Sequence, residues 1–402
     1  MTTHEVTAPA LTNMLEARGV TRRQFLKFCG VVAASIGLTE AAIPDIARAL
    51  EIGATSGKLA PVIWLEQSSC TGCTESLAQV GSPDVATVVL ELLSLNYSET
   101  LSAGAGHSVE QAKEDTINAG GYILLIEGAV MEGWDGNALR IAEEKGTDIV
   151  AHAAQNAVAV VATGSCAVDG GFCAAKPNPA GAVGVQAFLK SRGINTPVVN
   201  LPACPVNPEW IISVVVDYLL LGKLPDLDKY GRPVLIFGQT IHDNCPRRGH
   251  FENGEFVYRF GSEEEAKGYC LYPVGCKGPQ TYSNCPIVRW NDGASWCVES
   301  GAPCAGCSCA NPLKAGGNWV DVNAPFQKRH RVVKIGSWIT QPSTIGAIVG
   351  GFMVVALTAH GFGMKLAGRV PSGAEFEKAR AWDVKHPDKA LFPKTLKKDG
   401  DE

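Results

Sequence analysis

The sequence lacks several features that would point to common classes of protein. Acidic residues outnumber basic ones by 40 to 35, which gives a net charge of −5, and the Lys and Arg residues are scattered. A nucleic-acid partner is therefore not expected. There is no fixed-period repeat and no long low-complexity tract, and 14 cysteines in 402 residues are too few for a small disulfide scaffold. No catalytic triad or suggestive carboxylate pair is present, so no catalytic residue is assigned.

The sequence has enough apolar residues for a real core, at 46% of 402 residues, and its length suits two or three domains. Eight of its 14 cysteines fall between His242 and Cys309, among Gly, Pro and Asn residues that prevent long helices and strands. Such a segment needs something to hold it rigid. The spacing alone leaves three explanations open, which are iron–sulfur clusters, structural zinc and disulfide bonds.

The N-terminus has the pattern of an export signal. Arg22 and Arg23 precede a modest apolar run that ends at Leu38, which predicts a twin-arginine leader too short to span a bilayer. Residues 47–49 read Ala-Arg-Ala, a cleavage motif, so residues 1–49 are expected to be removed. Proteins exported by this route are already folded, so the thiols could bind metal first. Disulfide bonds thus become the weakest of the three explanations.

Residues 58–238 alternate short apolar runs with helical patterns, which predicts an α/β domain with a parallel, doubly wound sheet. Helical patterns run from Glu75 towards Leu93 and from Asn207 to Leu221. The predicted strands are residues 61–66, 121–126, 157–162, 197–200 and 233–237.

Four cysteines of this domain each follow a predicted strand; they are Cys70, Cys73, Cys166 and Cys204. Ligands of such sheets bind beyond the carboxyl ends of the strands, so these thiols are expected to converge on one edge. Four thiolates suffice for one [4Fe–4S] cluster, although zinc could use the same residues. Cys173 is expected to be a small buried residue nearby.

Several ordered motifs resemble the small subunit of nickel–iron uptake hydrogenases. They are Trp64-Leu-Glu-Gln-Ser-Ser-Cys-Thr-Gly-Cys73, Glu127-Gly128, Thr163-Gly-Ser-Cys166, Cys204-Pro-Val-Asn-Pro208 and the block from His242 to Cys307. The resemblance implies a flavodoxin-like domain followed by an irregular iron–sulfur domain, here residues 239–325.

The resemblance also implies three clusters in a row. The proximal [4Fe–4S] cluster would be bound by Cys70, Cys73, Cys166 and Cys204. The distal [4Fe–4S] cluster would be bound by His242, Cys245, Cys270 and Cys276. The medial cluster would be bound by Cys285, Cys304 and Cys307, which in most relatives hold [3Fe–4S].

Cys297 departs from the pattern, because relatives usually have Pro after the Ser-Trp pair at 295–296. We predict that Cys297 completes a medial [4Fe–4S] cluster; without it, [3Fe–4S] is expected. Cys309 is the rival for this role, but it follows Cys307 too closely to reach the same corner easily.

The C-terminal region predicts a membrane anchor over residues 335–364, since its apolar stretch approaches the ~20 residues that a spanning helix needs. Gly346 and Gly350 form a small-xxx-small face for another helix. Basic residues follow, so residues 365–402 are expected in the cytoplasm and the globular part on the outer, periplasmic face of the cell membrane.

The resemblance implies an electron-transfer subunit. Hydrogen would be split at a nickel–iron centre in a separate large subunit, and electrons would pass through the three clusters to a membrane cytochrome b or another quinone-linked subunit. A dimer of heterodimers is expected. Two alternatives stay open: an iron–sulfur subunit related to the quinone arm of respiratory complex I, and a zinc-stabilised, membrane-tethered scaffold.

Overall fold

The computed structural model describes residues 21–35, 41, 43–44, 46–48, 61–80, 93–221, 223–308, 332–335, 338–340, 342–369 and 372–386. The chain divides into two units, Met1–His330 and Arg331–Glu402.

The first unit is built on a five-stranded sheet in which all neighbouring strands are parallel. Its strands are β1 (Pro61–Glu66), β2 (Ser94–Ser98), β3 (Ile123–Glu127), β4 (Ala159–Thr163) and β5 (Val198–Leu201). The spatial order is β2-β1-β3-β4-β5. This is the flavodoxin order, in which the order of adding strands reverses between β1 and β3 and leaves a crevice at the carboxyl ends of these two strands. The predicted parallel α/β sheet is therefore confirmed.

Alternate residues of the strands enter two different apolar clusters, one on each face of the sheet. On β1, Val62 and Trp64 belong to one cluster, and Ile63 and Leu65 belong to the other. Strands buried on both faces read as continuous apolar runs, which explains why they could be recognised in the sequence.

Helices cover both faces and continue into the irregular region. They are α1 (Arg22–Ser35), α2 (Gly72–Ala78), α3 (His107–Ala119), α4 (Gly146–Gln155), α5 (Ser165–Asp169), α6 (Val185–Ser191), α7 (Pro208–Leu221), α8 (Val234–Phe237), α9 (Arg248–Asn253), α10 (Glu263–Ala266) and α11 (Cys285–Val288). Short antiparallel ribbons pair Val130–Met131 with Ala182–Val183 and Arg140–Ile141 with Glu144–Lys145, and a 3-10 turn spans Gly278–Gln280. Between residue 239 and residue 308 the described helices have at most six residues, as the Gly and Pro content predicted.

Two elements differ from the prediction. The expected closing strand at 233–237 is wrong: these residues form the helical turn α8, which buries the adjacent Ile236 and Phe237 and exposes Val234 and Leu235. A short apolar run does not by itself distinguish the two states. Strand β2 was not predicted, because its sequence Ser-Leu-Asn-Tyr-Ser is too polar for a buried strand.

The two predicted helices are recovered to different extents. The one over Asn207–Leu221 corresponds to α7. The one that begins near Glu75 corresponds to α2, which ends at Ala78; residues 81–92 lie outside the described part of the chain.

The second unit contains a short hairpin and two helices. Strands Val333–Ile335 and Trp338–Thr340 pair antiparallel, and they precede α12 (Pro342–Leu366) and α13 (Gly373–Lys385). Within α12, the 23 residues Thr344–Leu366 are long and apolar enough to cross a membrane and are 0% buried. The anchor prediction thus coincides with one exposed apolar helix, which begins at Pro342 rather than at 335 because a proline suits the first helical turn.

Candidate iron–sulfur sites

The loop after β1 is fixed by a buried carboxylate at the end of β3. Glu127 accepts hydrogen bonds from the backbone N–H groups of Cys73 and Thr74, both at 3.0 Å, and from the Thr74 hydroxyl at 2.7 Å. Burial raises the pKa of Glu127, and these donors act in the opposite direction. The contact holds the first two candidate thiols at the crevice between β1 and β3.

Two glycines let the loop after β4 approach these thiols closely. A Cβ atom at Gly164 would lie 2.5 Å from the Sγ atom of Cys73, and one at Gly171 would lie 2.7 Å from the Sγ atom of Cys166. Both glycines have positive φ, +88° and +48°, which other residues rarely adopt. At both positions the backbone itself lies against a thiol, so a residue with a side chain would not fit there.

The four predicted proximal cysteines lie within electrostatic range of one another. After burial and Glu127, the charges of Cys204 and Cys70 raise the pKa of Cys73. The pKa of Cys204 is raised by burial and then by Cys70, and Cys204 is among the groups that raise the pKa of Cys166. The structure thus brings together the thiols that follow β1, β4 and β5.

Cys173 lies beside this group as a fifth, half-buried thiol. Its Sγ atom is 3.6 Å from both the hydroxyl and the carbonyl oxygen of Ser68. A hydrogen bond with Cys166 lowers the pKa of Cys173 to about 6. The placement agrees with the prediction of a thiol close to the proximal group, although the residue is only partly buried.

A cavity of about 480 Å³ holds the predicted medial residues. Its wall includes Cys285, Cys297, Cys304 and Cys307, together with Cys204 of the proximal group. Burial raises the pKa of Cys285, followed by the charges of Cys307 and Cys297. Cys297 therefore shares a cavity with the other three thiols. Cys309 lies outside the described residues.

Two indole groups in the wall of this cavity have no hydrogen-bond acceptor among the described residues. They are the Nε1 atoms of Trp290 and Trp296, both buried. Buried N–H groups without a partner are costly, and sulfide or thiolate sulfur could accept from them. The cavity therefore offers thiols and N–H donors together, which suits an iron–sulfur cluster.

The predicted distal residues line a second, narrower cavity. They are His242, Cys245, Cys270 and Cys276. The ring of His242 contacts Phe251 edge-on, with 4.7 Å between centroids. Burial, followed by the charge of Arg248, lowers the pKa of His242 and so favours the neutral imidazole that binds metals. Burial raises the pKa of Cys270 to about 12.

A guanidinium group also lines the distal cavity. Arg247 donates a hydrogen bond from Nη1 to the carbonyl oxygen of Tyr269 at 2.9 Å. Burial raises the pKa of all three distal thiols, and the positive charge of Arg247 acts in the opposite direction on each. Arg247 is thus a fixed cation beside the distal group.

Direct hydrogen bonds connect the three groups in sequence. The backbone N–H of Cys304 donates to the Sγ atom of Cys276 at 3.4 Å, which joins the medial and distal residues. On the other side, the hydroxyl of Ser165, next to Cys166, donates to the Cys307 carbonyl at 2.6 Å, and Cys204 lines the same cavity as Cys307. The medial residues therefore touch both neighbouring groups.

The protonation state of these thiols determines whether they can bind a metal. Burial is the main cause that raises the pKa of most of them, and neighbouring thiolates add to it. Several thiolates can share one buried cavity only with a compensating cation, and a coordinated metal deprotonates a thiol outright. None of the 13 described cysteines is in a disulfide, and no three described His, Cys, Asp or Glu side chains are arranged to hold a single metal ion.

Sequence reasoning missed the roles of the residues around the thiols. The sequence marked Glu127 only as the end of a predicted strand and as part of a family motif, and it assigned no role to Trp290, Trp296 or Arg247. Their functions depend on contacts with residues distant in sequence, such as the 54-residue separation between Cys73 and Glu127.

Comparisons with known proteins agree with this arrangement. Residues 237–317 match the family model for the C-terminal part of the NiFe/NiFeSe hydrogenase small subunit, and residues 70–218 match "NADH ubiquinone oxidoreductase, 20 Kd subunit". The chain is 43% identical over 295 residues to the "Periplasmic [NiFe] hydrogenase small subunit 1" of Nitratidesulfovibrio vulgaris, covering 73% of this chain and 91% of that protein. It is 41% identical over 299 residues to the "Quinone-reactive Ni/Fe-hydrogenase small chain" of Wolinella succinogenes, covering 73% and 82%.

A solved structure is similar as well. It is that of the reduced, active Ni-Fe-Se hydrogenase from Desulfomicrobium baculatum, with a TM-score of 0.61, 33% identity, and coverage of 68% of this chain and 100% of that chain. The resemblance inferred from the motifs is thus confirmed. With relatives covered over most of their length at above 40% identity, the chain belongs to the nickel–iron hydrogenase small subunits.

Proposed function

We propose that this chain carries electrons from a nickel–iron centre in a large hydrogenase subunit to a quinone-linked membrane partner. The observation that carries the proposal is that the medial residues contact both other groups: Cys307 shares a cavity with Cys204 and accepts a hydrogen bond from Ser165, and Cys304 donates one to Cys276. Small subunits of this family carry iron–sulfur clusters, which supply one-electron carriers when bound. Electron transfer needs such carriers close together and shielded from water.

The proximal group is Cys70, Cys73, Cys166 and Cys204, and we assign it a [4Fe–4S] cluster. Cys70 and Cys204 are exposed in this chain, and the large side chains of Trp134 and Phe172 are also exposed, at 68% and 53%. Phe172 lines the same cavity as Cys204. An exposed aromatic residue beside an exposed thiol suits a face that is buried against a large subunit.

The medial group is Cys285, Cys297, Cys304 and Cys307, and we assign it a [4Fe–4S] cluster rather than [3Fe–4S]. The support is the position of Cys297 in the wall of the shared cavity and its electrostatic influence on Cys285 and Cys307. A fourth thiolate adds negative charge, which favours the oxidised cluster and lowers its reduction potential.

The distal group is His242, Cys245, Cys270 and Cys276, also assigned [4Fe–4S]. A neutral imidazole in place of a thiolate, together with the Arg247 cation, makes this site less negative than the other two. Its reduction potential should be correspondingly higher, which suits the exit end of the chain.

The second unit would anchor the subunit to the cell membrane. The exposed apolar segment Thr344–Leu366 would span the bilayer once, with the following residues in the cytoplasm and the globular part on the periplasmic face. The name "quinone-reactive" of one relative supports a quinone-linked partner such as a cytochrome b. Residues 1–49 would be the export leader, and we keep a dimer of heterodimers as the proposed assembly.

The family match of residues 70–218 explains why a complex I subunit was a reasonable alternative. The match of residues 237–317 favours the hydrogenase, because this segment contains the medial and distal groups.

The test is the purified complex of this chain with its large subunit, kept anaerobic. About twelve iron atoms should be found on the small subunit, as three four-iron clusters require. The brown visible absorption should bleach under hydrogen. In Cys204→Ala, dithionite should still bleach the remaining clusters while hydrogen should not, whereas Cys173→Ala should behave as the wild type. A colourless complex, or absorption that hydrogen leaves unchanged in the wild type, would refute the proposal.

A further inference from the structure

Helix α1, near the N-terminus, packs against the folded body. Phe25, Cys29 and Ala33 lie four residues apart and therefore on one helical face, and they are only 2%, 0% and 1% exposed. They belong to the same apolar cluster as Trp210 and Val214 of α7, and the two helices are in contact. Ile46, further along the same segment, is also 1% exposed in this cluster.

A charged contact accompanies the apolar one. The Nζ atom of Lys27 lies 3.6 Å from the carboxylate of Asp292 on the body. Glu209, in the first turn of α7, is the second acid here: burial, then Asp292, raises its pKa to about 7, and Lys27 acts in the opposite direction. The Oε2 atom of Glu209 is buried without a hydrogen-bond partner among the described residues. One leader lysine thus faces two body carboxylates.

The charged contact lies on the turn that continues into the medial site. Asp292 belongs to the turn closed by the hydrogen bond from the Trp290 backbone N–H to the Ser295 carbonyl, at 2.9 Å. The same turn leads directly to Trp296 and Cys297, and Trp290 itself lines the medial cavity. The surface that receives α1 is therefore complete only when the wall of the medial site has formed.

The two halves of the leader motif differ in accessibility. Arg22 and Arg23 are exposed to solvent, whereas Phe25, two residues later, is buried against the body. A receptor could reach the arginine pair on the docked helix, but it could not contact Phe25 without pulling the helix away.

We propose that the groove formed by α7 and the turn from Trp290 to Ser295 is a docking site for the chain's own export leader, and that the leader must leave this groove before the export receptor can bind it fully. The inference rests on the proposed assignment of residues 1–49 as a twin-arginine leader.

The first experiment measures alkylation of Cys29 by iodoacetamide, followed by mass spectrometry, in the folded precursor bound to its large subunit. Ala33→Arg places a charge on the buried face, outside the arginine motif, and should displace α1. The alkylation rate should then rise at least about tenfold, as expected when a protected site opens. Gln24→Arg adds the same charge at an exposed position and should leave the rate unchanged. Equal rates in the wild type and Ala33→Arg would overturn the proposal.

The second experiment tests the body side of the groove. Asp292→Lys should raise the Cys29 rate by roughly two- to fivefold, the size expected for an exposed ion pair. The double variant Lys27→Asp with Asp292→Lys should restore protection. If Asp292→Lys alone leaves the Cys29 alkylation rate unchanged, the acidic surface does not hold the leader, and the proposed groove is wrong.

The third experiment separates docking from the leader assignment. Residues 1–49 fused to a folded reporter should direct its export; failure here would refute the leader assignment and leave Cys29 protection as a separate observation. The complete Asp292→Lys precursor, whose leader is unchanged, should be exported faster than the wild type. If the fusion is exported but the two precursors leave the cytoplasm at equal rates, the docked leader does not delay export, and the proposal is wrong.

Discussion

The proximal group and the two groups beyond residue 239 are held in place by different means. The proximal thiols sit on loops at one edge of a sheet whose two faces are buried by apolar side chains. The medial and distal residues lie in a segment whose described helices are six residues or shorter and which contributes no strand to that sheet. We infer that the sheet holds the proximal thiols in place without metal, whereas the medial and distal turns would depend on bound metal to connect them. We expect the two regions to respond differently to loss of metal and to mutation.

Removal of iron should produce the largest difference between the two regions. Because binding free energy of a metal site is also folding free energy where little else orders the chain, residues 239–308 should lose most protection from deuterium exchange. Strands β1, β3 and β4 should remain protected. The measurement is exchange mass spectrometry of the complex before and after anaerobic chelation. An equal loss of exchange protection in both regions would contradict the proposed difference between them.

Substitution of one glycine should empty the proximal site without unfolding the sheet. In Gly164→Ala the new Cβ atom would lie 2.5 Å from the Cys73 Sγ atom. Iron should fall by about four atoms per chain, the content of one [4Fe–4S] cluster. Gly193→Ala is the matched control, since its φ of +70° imposes similar strain but its Cβ atom would meet nothing within 4 Å. Equal iron contents in the two variants would show that close approach is not required.

Replacement of Cys297 should convert a cluster rather than destroy it. Cys297→Ala leaves three medial thiols, so about one iron atom should be lost and an oxidised three-iron cluster should appear. This cluster is paramagnetic, and electron paramagnetic resonance of the oxidised complex would detect it. Cys173→Ala is the control and should give no such signal. A strong three-iron signal already present in the wild type would refute the four-iron medial assignment.

The smallest effect is expected at the distal site. Arg247→Gln removes the cation beside the thiols and should lower the distal reduction potential by roughly 30–60 mV, which is up to about a tenfold change in the one-electron equilibrium. Lys267→Gln is the control, because Lys267 is exposed, is paired with Glu263 and does not line the distal cavity. Redox titration followed by electron paramagnetic resonance measures both. Equal shifts of the distal reduction potential in the two variants would show that Arg247 has no specific effect on this site.

The prediction of secondary structure was most accurate where a run of apolar residues in the sequence is also buried in the folded protein. Strands β1, β3, β4 and β5 were placed to within two residues, because strands buried on both faces are apolar throughout. The prediction failed at β2, a polar strand at the sheet edge, and at residues 233–237, where four apolar residues suit a helical turn as well as a strand.

The sequence by itself determined the order of the cysteine and histidine motifs, the parallel α/β sheet and the apolar C-terminal segment, since each depends on a pattern of contiguous residues. Only the tertiary structure decided which groups surround the thiols: Glu127 under the Cys73 loop, the indoles in the medial wall and Arg247 beside the distal residues. It also decided the packing of α1 on α7. The physical reason is that hydrogen bonds, charge and burial depend on distance in space. Residues far apart in the chain leave no local pattern of such contacts.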